Sequence, residues 1–246
     1  MKTSRHALLI NANNTNTTFA LTSEKRIMRT IKVPTAAIRE IPFAREQYAE
    51  CVLASVVPVA TKKLARLLPV RPLIVSAKID LGIGVSYPNK KQIGADRLAN
   101  AVGVARLYGA PAIVVDFGTA LTFDIVNSSS EYIGGVIAPG LASVTDYLYQ
   151  RTALLPRINL VEPRSVIGKS TVAAMRVGAV IGYRGLVKEI LHALRGERGM
   201  RNAIIVATGG YADLMAKKIP EIQRINPMLT LEGLRFIYLR NFCESN

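Results

Sequence analysis

Leu8-Leu9-Ile10-Asn11-Ala12-Asn13-Asn14-Thr15-Asn16-Thr17-Thr18-Phe19 and Val114-Val115-Asp116-Phe117-Gly118-Thr119-Ala120-Leu121-Thr122-Phe123-Asp124 follow one plan. Each is an apolar strand, a tight polar turn carrying Thr, and a second strand. Overlaying Asn11 on Asp116 places Asn13 on Gly118. A chain made of two halves that each open on such a hairpin is suited to clamping a polyphosphate in a shared cleft. Duplication of a bare structural hairpin is the plainer alternative.

Outward from these hairpins the pattern is that of an α/β protein. Alternation predicts strands at 7–11, 17–22 and 27–33, an antiparallel meander, followed by a strand at Cys51–Val56, a helix near 59–67 and a strand at Leu73–Ser76. Leu98, Ala101, Val102, Ala105 and Tyr108 recur at helical spacing, which predicts a helix over 93–108. A second cycle follows, with strands at Ile113–Asp116, Thr122–Val126 and Tyr132–Ala138, and helices at 141–151 and 171–196. A strand at Ala203–Ala207 and a last helix including Leu231–Phe236 complete it. No linker is rich in Gly, Ser or Pro, so two closely joined domains are expected, 1–108 and 109–246.

Composition narrows the class. Half of the 246 residues are hydrophobic, enough for a large core. No apolar run approaches the roughly 18 residues of a membrane span, and Ala7–Ile10 is too short for a signal-peptide core. Cys51 and Cys243 fit no metal spacing and read as reduced thiols of a cytoplasmic protein. The 32 Lys and Arg against 17 Asp and Glu give a formal charge of +15, a field that gathers anions without choosing among them. The basic residues come in pairs such as Lys62-Lys63, without interleaved aromatics, which gives a nucleic-acid surface little support.

Phosphoryl transfer needs groups that hold phosphates, charge that neutralises them and a base for the attacking hydroxyl. Gly168-Lys169-Ser170-Thr171 has the tail of a Walker A loop, but Pro163 stands where its first glycine is required. Gly82-x-Gly84 lacks its third glycine, since Tyr87 occupies that place. The turn Asp116-Phe117-Gly118-Thr119 offers an anion site instead: the glycine admits close backbone approach, Thr119 brings a hydroxyl, and Asp116 is placed to bind a cation. Gly94-Ala95-Asp96-Arg97 falls at the start of the 93–108 helix, where free N–H groups favour anions. There Asp96 could accept a hydroxyl proton while Arg97 holds a carboxylate; equally, Asp96 could be an N-cap and Arg97 a surface charge. His6 and His192 have no partner at ligand spacing, and no hydrolase triad is readable.

Read together and in order, the motifs resemble type III pantothenate kinases. They are Asn14-Thr15-Asn16-Thr17, Tyr87 before Gly94-Ala95-Asp96-Arg97, Asp116-Phe117-Gly118-Thr119-Ala120, Gly134-Gly135-x-Ile137-x-Pro139-Gly140, Thr152-Ala153-x-Leu155-Pro156, Ile167-Gly168-Lys169-Ser170-Thr171 and Thr208-Gly209-Gly210. The resemblance implies the actin-like ATPase fold of acetate and sugar kinases, two ribonuclease-H-like domains with nucleotide in the cleft, as a homodimer. It implies transfer of the ATP γ-phosphoryl group to the primary hydroxyl of pantothenate, the first step of coenzyme A synthesis, with Mg²⁺ and a monovalent cation, K⁺ or NH₄⁺.

By position, the resemblance makes Asp96 the proton acceptor. It lines the pantothenate site with Tyr87, Gly94, Ala95, Asp96 and Arg97, adding Thr171 from the partner subunit. It gives Asp116 the monovalent cation and Thr119 the ATP, and wraps the phosphates with Asn11, Ala12, Asn13, Asn14, Thr15, Asn16, Thr17 and Thr18. The chain departs from the family pattern Asp-x-Gly-Asn-Thr with Asn11-Ala12-Asn13-Asn14-Thr15, and carries Leu121 where threonine is usual. A neutral amide at 11 is a poorer partner than a carboxylate for the nucleotide's Mg²⁺. At 13, asparagine tolerates positive φ better than most residues. Two other readings stay open: a catalytically weak or inactive regulatory relative, and a basic nucleic-acid-associated protein on the same fold.

Overall fold

The computed structural model describes residues 6–244. Its first sheet joins β1 (Ala7–Ala12), β2 (Asn16–Thr22), β3 (Ile27–Pro34), β4 (Glu50–Ser55) and β5 (Leu73–Ile74) in the order β3-β2-β1-β4-β5. β1, β2 and β3 form the expected antiparallel meander, while β4 lies parallel to β1 and β5 parallel to β4. After α1 (Pro58–Leu67), β6 (Gly84–Val85) and α2 (Ala95–Tyr108) the plan repeats. β7 (Ala112–Phe117), β8 (Ala120–Val126), β9 (Glu131–Pro139), β10 (Ile204–Thr208) and β11 (Arg224–Ile225) take the same relative order, with β6 added beside β9: β11-β10-β7-β8-β9-β6. β7 and β8 are antiparallel, and β10 is parallel to β7.

Between β9 and β10 lie α3 (Leu141–Arg151), α4 (Thr171–Val177) and α5 (Tyr183–Gly196). A π-helical stretch at Gly178–Gly182 joins α4 to α5. The long helix expected over 171–196 is thus continuous but locally widened, at a stretch bounded by two glycines. α6 (Ala212–Ala216) precedes β11, and α7 (Leu229–Phe242) contains the expected Leu231–Phe236. β6, β11 and α6 were not expected; with two, two and five residues they are too short to carry a period. Among the described residues no helix is long and apolar enough to cross a membrane.

By compactness the chain divides into two units. One holds the residues up to Gly109, Ser129–Gly134 and those from Met228 onward; the other holds Ala110–Ser128 and Gly135–Pro227. The expected cut between 108 and 109 leaves β6 before it, although β6 belongs to the second sheet; compactness adds Ser129–Gly134 and, further, α7 to the first unit. The reason is a close helix crossing. A Cβ built on Gly233 of α7 would lie 1.8 Å from the Ala99 carbonyl oxygen of α2, and one on Gly103 would lie 2.7 Å from that of Leu229. Thr230 Oγ1 also donates to the buried Asn100 Oδ1 at 2.7 Å. Only glycine lets the two backbones come this near.

In the first unit Leu8, Ile10, Ala12, Cys51 and Leu53 face a core that includes Leu64 and Leu68 at the α1 side. Alternation leaves Ala7, Leu9, Asn11, Val52 and Ala54 for the opposite face, where α7 packs on β1 and β4 and α2 packs on β4. In the second unit Ile113, Val115, Phe117, Leu121 and Phe123 meet Val180, Tyr183, Val187 and Leu191 of the long helix.

Candidate functional site

The start of α2 is set beside the carboxyl ends of β1 and β4. Val56 N–H donates to the Ala12 carbonyl at 3.2 Å, and a Cβ on Gly94 would lie 3.4 Å from Val56 Cγ1. Gly94, in extended backbone, is the N-cap of α2, and no side chain caps that end. Asp96 is therefore not the N-cap that one reading of the sequence allowed. It stands in the first turn, where its Oδ1 accepts the Arg97 backbone N–H at 2.8 Å. A Cβ at 94 would come 2.7 Å from that same oxygen, so glycine leaves the carboxylate its room. Burial raises the Asp96 pKa above the usual carboxylate value; the Arg97 N–H bond and the Arg97 charge oppose this without cancelling it.

Arg97 is not a loose surface charge either. Its guanidinium lies over the ring of Tyr132, 5.7 Å from the centroid, and Tyr132 in turn meets the Tyr87 ring at 6.1 Å, tilted by 49°. Gly134, at φ 134°, holds a backbone that L side chains rarely adopt, with the Tyr87 ring 3.5 Å from where its Cβ would stand. Tyr87, Gly94, Ala95, Asp96 and Arg97 thus gather in the first unit, as a run of acid, guanidinium and aromatic surface. Tyr132 was missed from sequence. Its only signal there was a tyrosine two residues before Gly134-Gly135.

The hairpin Asn11–Thr18 stands at the same end of the same sheet. Asn11 and Ala12 end β1, Asn13–Thr15 make the turn, and Asn16–Thr18 begin β2. The turn is braced from outside, Thr35 Oγ1 donating to the Asn13 carbonyl at 2.6 Å and lying 3.0 Å from Thr17 Oγ1. Asn13 does not use the left-handed backbone; among the described non-glycine residues only Ser130 has a positive φ. Gly118 does not use it either. What glycine supplies there is space, since a Cβ would lie 3.2 Å from Asp116 Oδ1. The Oδ1 atoms of Asn11 and of Asn13 are buried and meet no hydrogen-bond partner among the described residues.

In the second unit, Asp116 is the penultimate residue of β7 and Thr119 is exposed at the turn tip. Two more glycines crowd this turn: a Cβ on Gly209 would lie 2.4 Å from Asp116 Oδ1, and one on Gly140 would lie 2.0 Å from the Thr119 carbonyl. The sequence held both in its motifs, but only the fold shows what they touch. Thr171 is the exposed first residue of α4, beside the N-cap Ser170, whose Oγ accepts the Ala173 N–H at 3.2 Å. Gly168 packs so tightly on this helix that a Cβ would lie 2.2 Å from the Ala174 nitrogen. The sequence Ile167–Thr171 is a helix cap rather than a phosphate loop.

Among solved structures the chain is similar to component A of (R)-2-hydroxyglutaryl-CoA dehydratase from Acidaminococcus fermentans, with TM-score 0.54 and 13% identity over 96% of this chain and 97% of that one. It is also similar to MreB 5 of Spiroplasma citri bound to AMPPNP, with TM-score 0.50 and 11% identity over 97% of each chain. These likenesses, with the duplicated sheet, give the fold as the actin-like ATPase fold, α/β with two sheets of one design. A curated protein of Akkermansia muciniphila, named type III pantothenate kinase, is 51% identical over 235 residues, 93% of this chain and 96% of its own. The family model of that description matches residues 7–193, a span that takes in the first hairpin, Asp96, Asp116 and Thr171. On that extent and that identity, the chain belongs to the type III pantothenate kinase family.

Proposed function

We propose that the chain phosphorylates pantothenate with ATP, using Asp96 as the base. The observation that carries the role of Asp96 is its placement: a partly buried carboxylate in the first turn of α2, its Oδ1 held by the Arg97 N–H and its pKa raised. Such a group is a better proton acceptor near neutral pH than an ordinary aspartate. The hydroxyl oxygen attacks the γ-phosphorus, its proton passes to Asp96, and ADP leaves with the β–γ bridging oxygen. Arg97, steadied on Tyr132, pairs with the carboxylate of pantothenate, while Tyr87 offers an aromatic wall.

The residues present fit the groups that such a reaction requires. Two orphaned amide oxygens, of Asn11 and Asn13, suit an electropositive visitor at the first turn. Asp116, hemmed by Gly118 and Gly209, presents a carboxylate that a small monovalent cation such as K⁺ or NH₄⁺ could reach. Mg²⁺, when bound, neutralises charge on the triphosphate. The exposed turns, with Asn14 and Thr15 in the first unit and Thr119 in the second, offer backbone N–H groups and hydroxyls to phosphate oxygens.

Homodimer formation is part of this proposal. Ile137, Tyr147, Leu154, Val166 and Ile167 are all exposed in the second unit, large apolar side chains of a kind that an interface would cover. Thr171 of one copy would then complete the pantothenate site of the other, in a cytoplasmic enzyme. The test is purified protein with ATP, Mg²⁺, K⁺ and labelled pantothenate. Formation of 4'-phosphopantothenate is expected; its absence at saturating Mg·ATP, in folded and dimeric protein, refutes the proposal.

A further inference from the structure

The two hairpins repeat each other down to their burial. β1 and β7 share one order of buried and half-buried positions, and β2 and β8 share another. At the one half-buried position of the first strand, β7 carries Asp116 and β1 carries Asn11. Two residues on stand Gly118 and Asn13. The first hairpin has thus lost a carboxylate and gained a second amide. From Asn11 to Thr18 it contains no acid.

What the amides do is legible in their oxygens. Both Oδ1 atoms are buried without a donor among the described residues. A buried acceptor left in this way has given up its hydrogen bond to water and gained none in return. Two of them at alternate positions of one hairpin are a cost that an arriving electropositive group would relieve. Alternation also puts Asn11 on the face of β1 that α7 packs against, at the sheet end beside the first turn of α2, where Asp96 stands. The oxygens therefore belong to the reacting end of the first unit.

We infer that Asn11 and Asn13 are the cation-facing pair of the first hairpin, and that they hold the nucleotide's divalent cation through neutral amide oxygens. The inference rests on the reading of ATP as phosphoryl donor. Ligand charge sets how tightly a hard dication is held. With none on the hairpin, that charge comes from the triphosphate. The pair then recognises the cation–nucleotide complex and has little affinity for the bare cation. By linkage, cation and nucleotide strengthen each other's binding by the same factor.

The test is the dissociation constant of a non-hydrolysable ATP analogue, measured by calorimetry in Mg²⁺ and in EDTA. Wild type is expected to bind about tenfold more tightly with Mg²⁺, Asn11→Asp about a hundredfold more tightly, and the double variant Asn11→Leu, Asn13→Ala equally well in both buffers. The same ratio in all three proteins, or a ratio of one in wild type, overturns the inference and leaves the donor assignment intact. No binding by wild type in either buffer overturns both. Should the double variant not fold, Asn11→Asp decides alone: a ratio equal to that of wild type refutes the inference.

Discussion

Gly233→Ala tests the link between packing and catalysis most sharply. Inside α7 an alanine is favoured over glycine by about 1 kcal/mol on helix propensity. Its Cβ, however, would lie 1.8 Å from the Ala99 carbonyl oxygen, more than 1.5 Å short of the 3.4 Å at which ordinary contact begins. The obstacle is backbone within α2, which cannot rotate aside as a side chain would. Overpacking of this kind costs about 3 kcal/mol, at the upper end of its usual range. The packing term wins, leaving a net loss of about 2 kcal/mol, which in a chain of this size lowers Tm by about 4–8 °C.

The strain also travels. Ala99 is less than one helical turn from Asp96, and displacing a reacting group by about 1 Å can cost about a hundredfold in rate. Thermal unfolding followed by circular dichroism, with kcat/KM for pantothenate, measures both effects. Gly185→Ala in α5 is the control, because its added Cβ meets nothing within 4 Å and should raise stability by about 1 kcal/mol. A Gly233→Ala protein that melts at or above wild type with unchanged kcat/KM would refute the close crossing.

Asp96→Asn should lower kcat/KM by about a hundredfold to ten-thousandfold. Because burial raises the folded pKa of Asp96, its ionised form costs stability above the ordinary carboxylate range. The Asn variant should therefore melt higher than wild type at neutral pH, with the gain fading as pH falls through the raised folded pKa of Asp96 and gone below about 4. An acid limb of the wild-type pH–rate profile at or below the usual aspartate value would contradict the burial argument. Glu162 tests the opposite sign: its hydrogen bonds to Arg184 and then Lys218 bring its pKa down to about 2 from 4.5. Its stabilisation is present above 4.5 and drains away toward 2, so Glu162→Gln should flatten the acid loss of stability in that window; an unchanged pH–stability curve would count against the pairing.

The repeat of hairpins was readable because a strand buried on both faces writes itself as a short continuous apolar run, and 7–12 and 112–117 share one order of burial, interrupted at the same place by a polar residue. The helix from 95 to 108 was readable through its 3.6-residue period, although Gly94 displaces its start from 93. β6, β11 and α6 were not, since pairs of residues and a single helical turn have no period to show. At the site, Asp96 and Arg97 could be named from their motif. Whether Asp96 capped the helix or stood free in its first turn was open until Gly94 was seen at the cap.

By itself the chain order determined the two-fold plan, the family motifs and the identities of the acid, the guanidinium and the amides, because these are local and survive any arrangement in space. Tertiary structure alone decided that Tyr132 carries Arg97, that Gly209 and Gly140 press on the Asp116 turn, and that the Asn11 and Asn13 oxygens are left without donors among the described residues. Each of those depends on which distant segments exclude water from an atom and which fail to offer it a partner. Burial and hydrogen bonding of that kind are properties of the assembled neighbourhood, which no residue carries on its own.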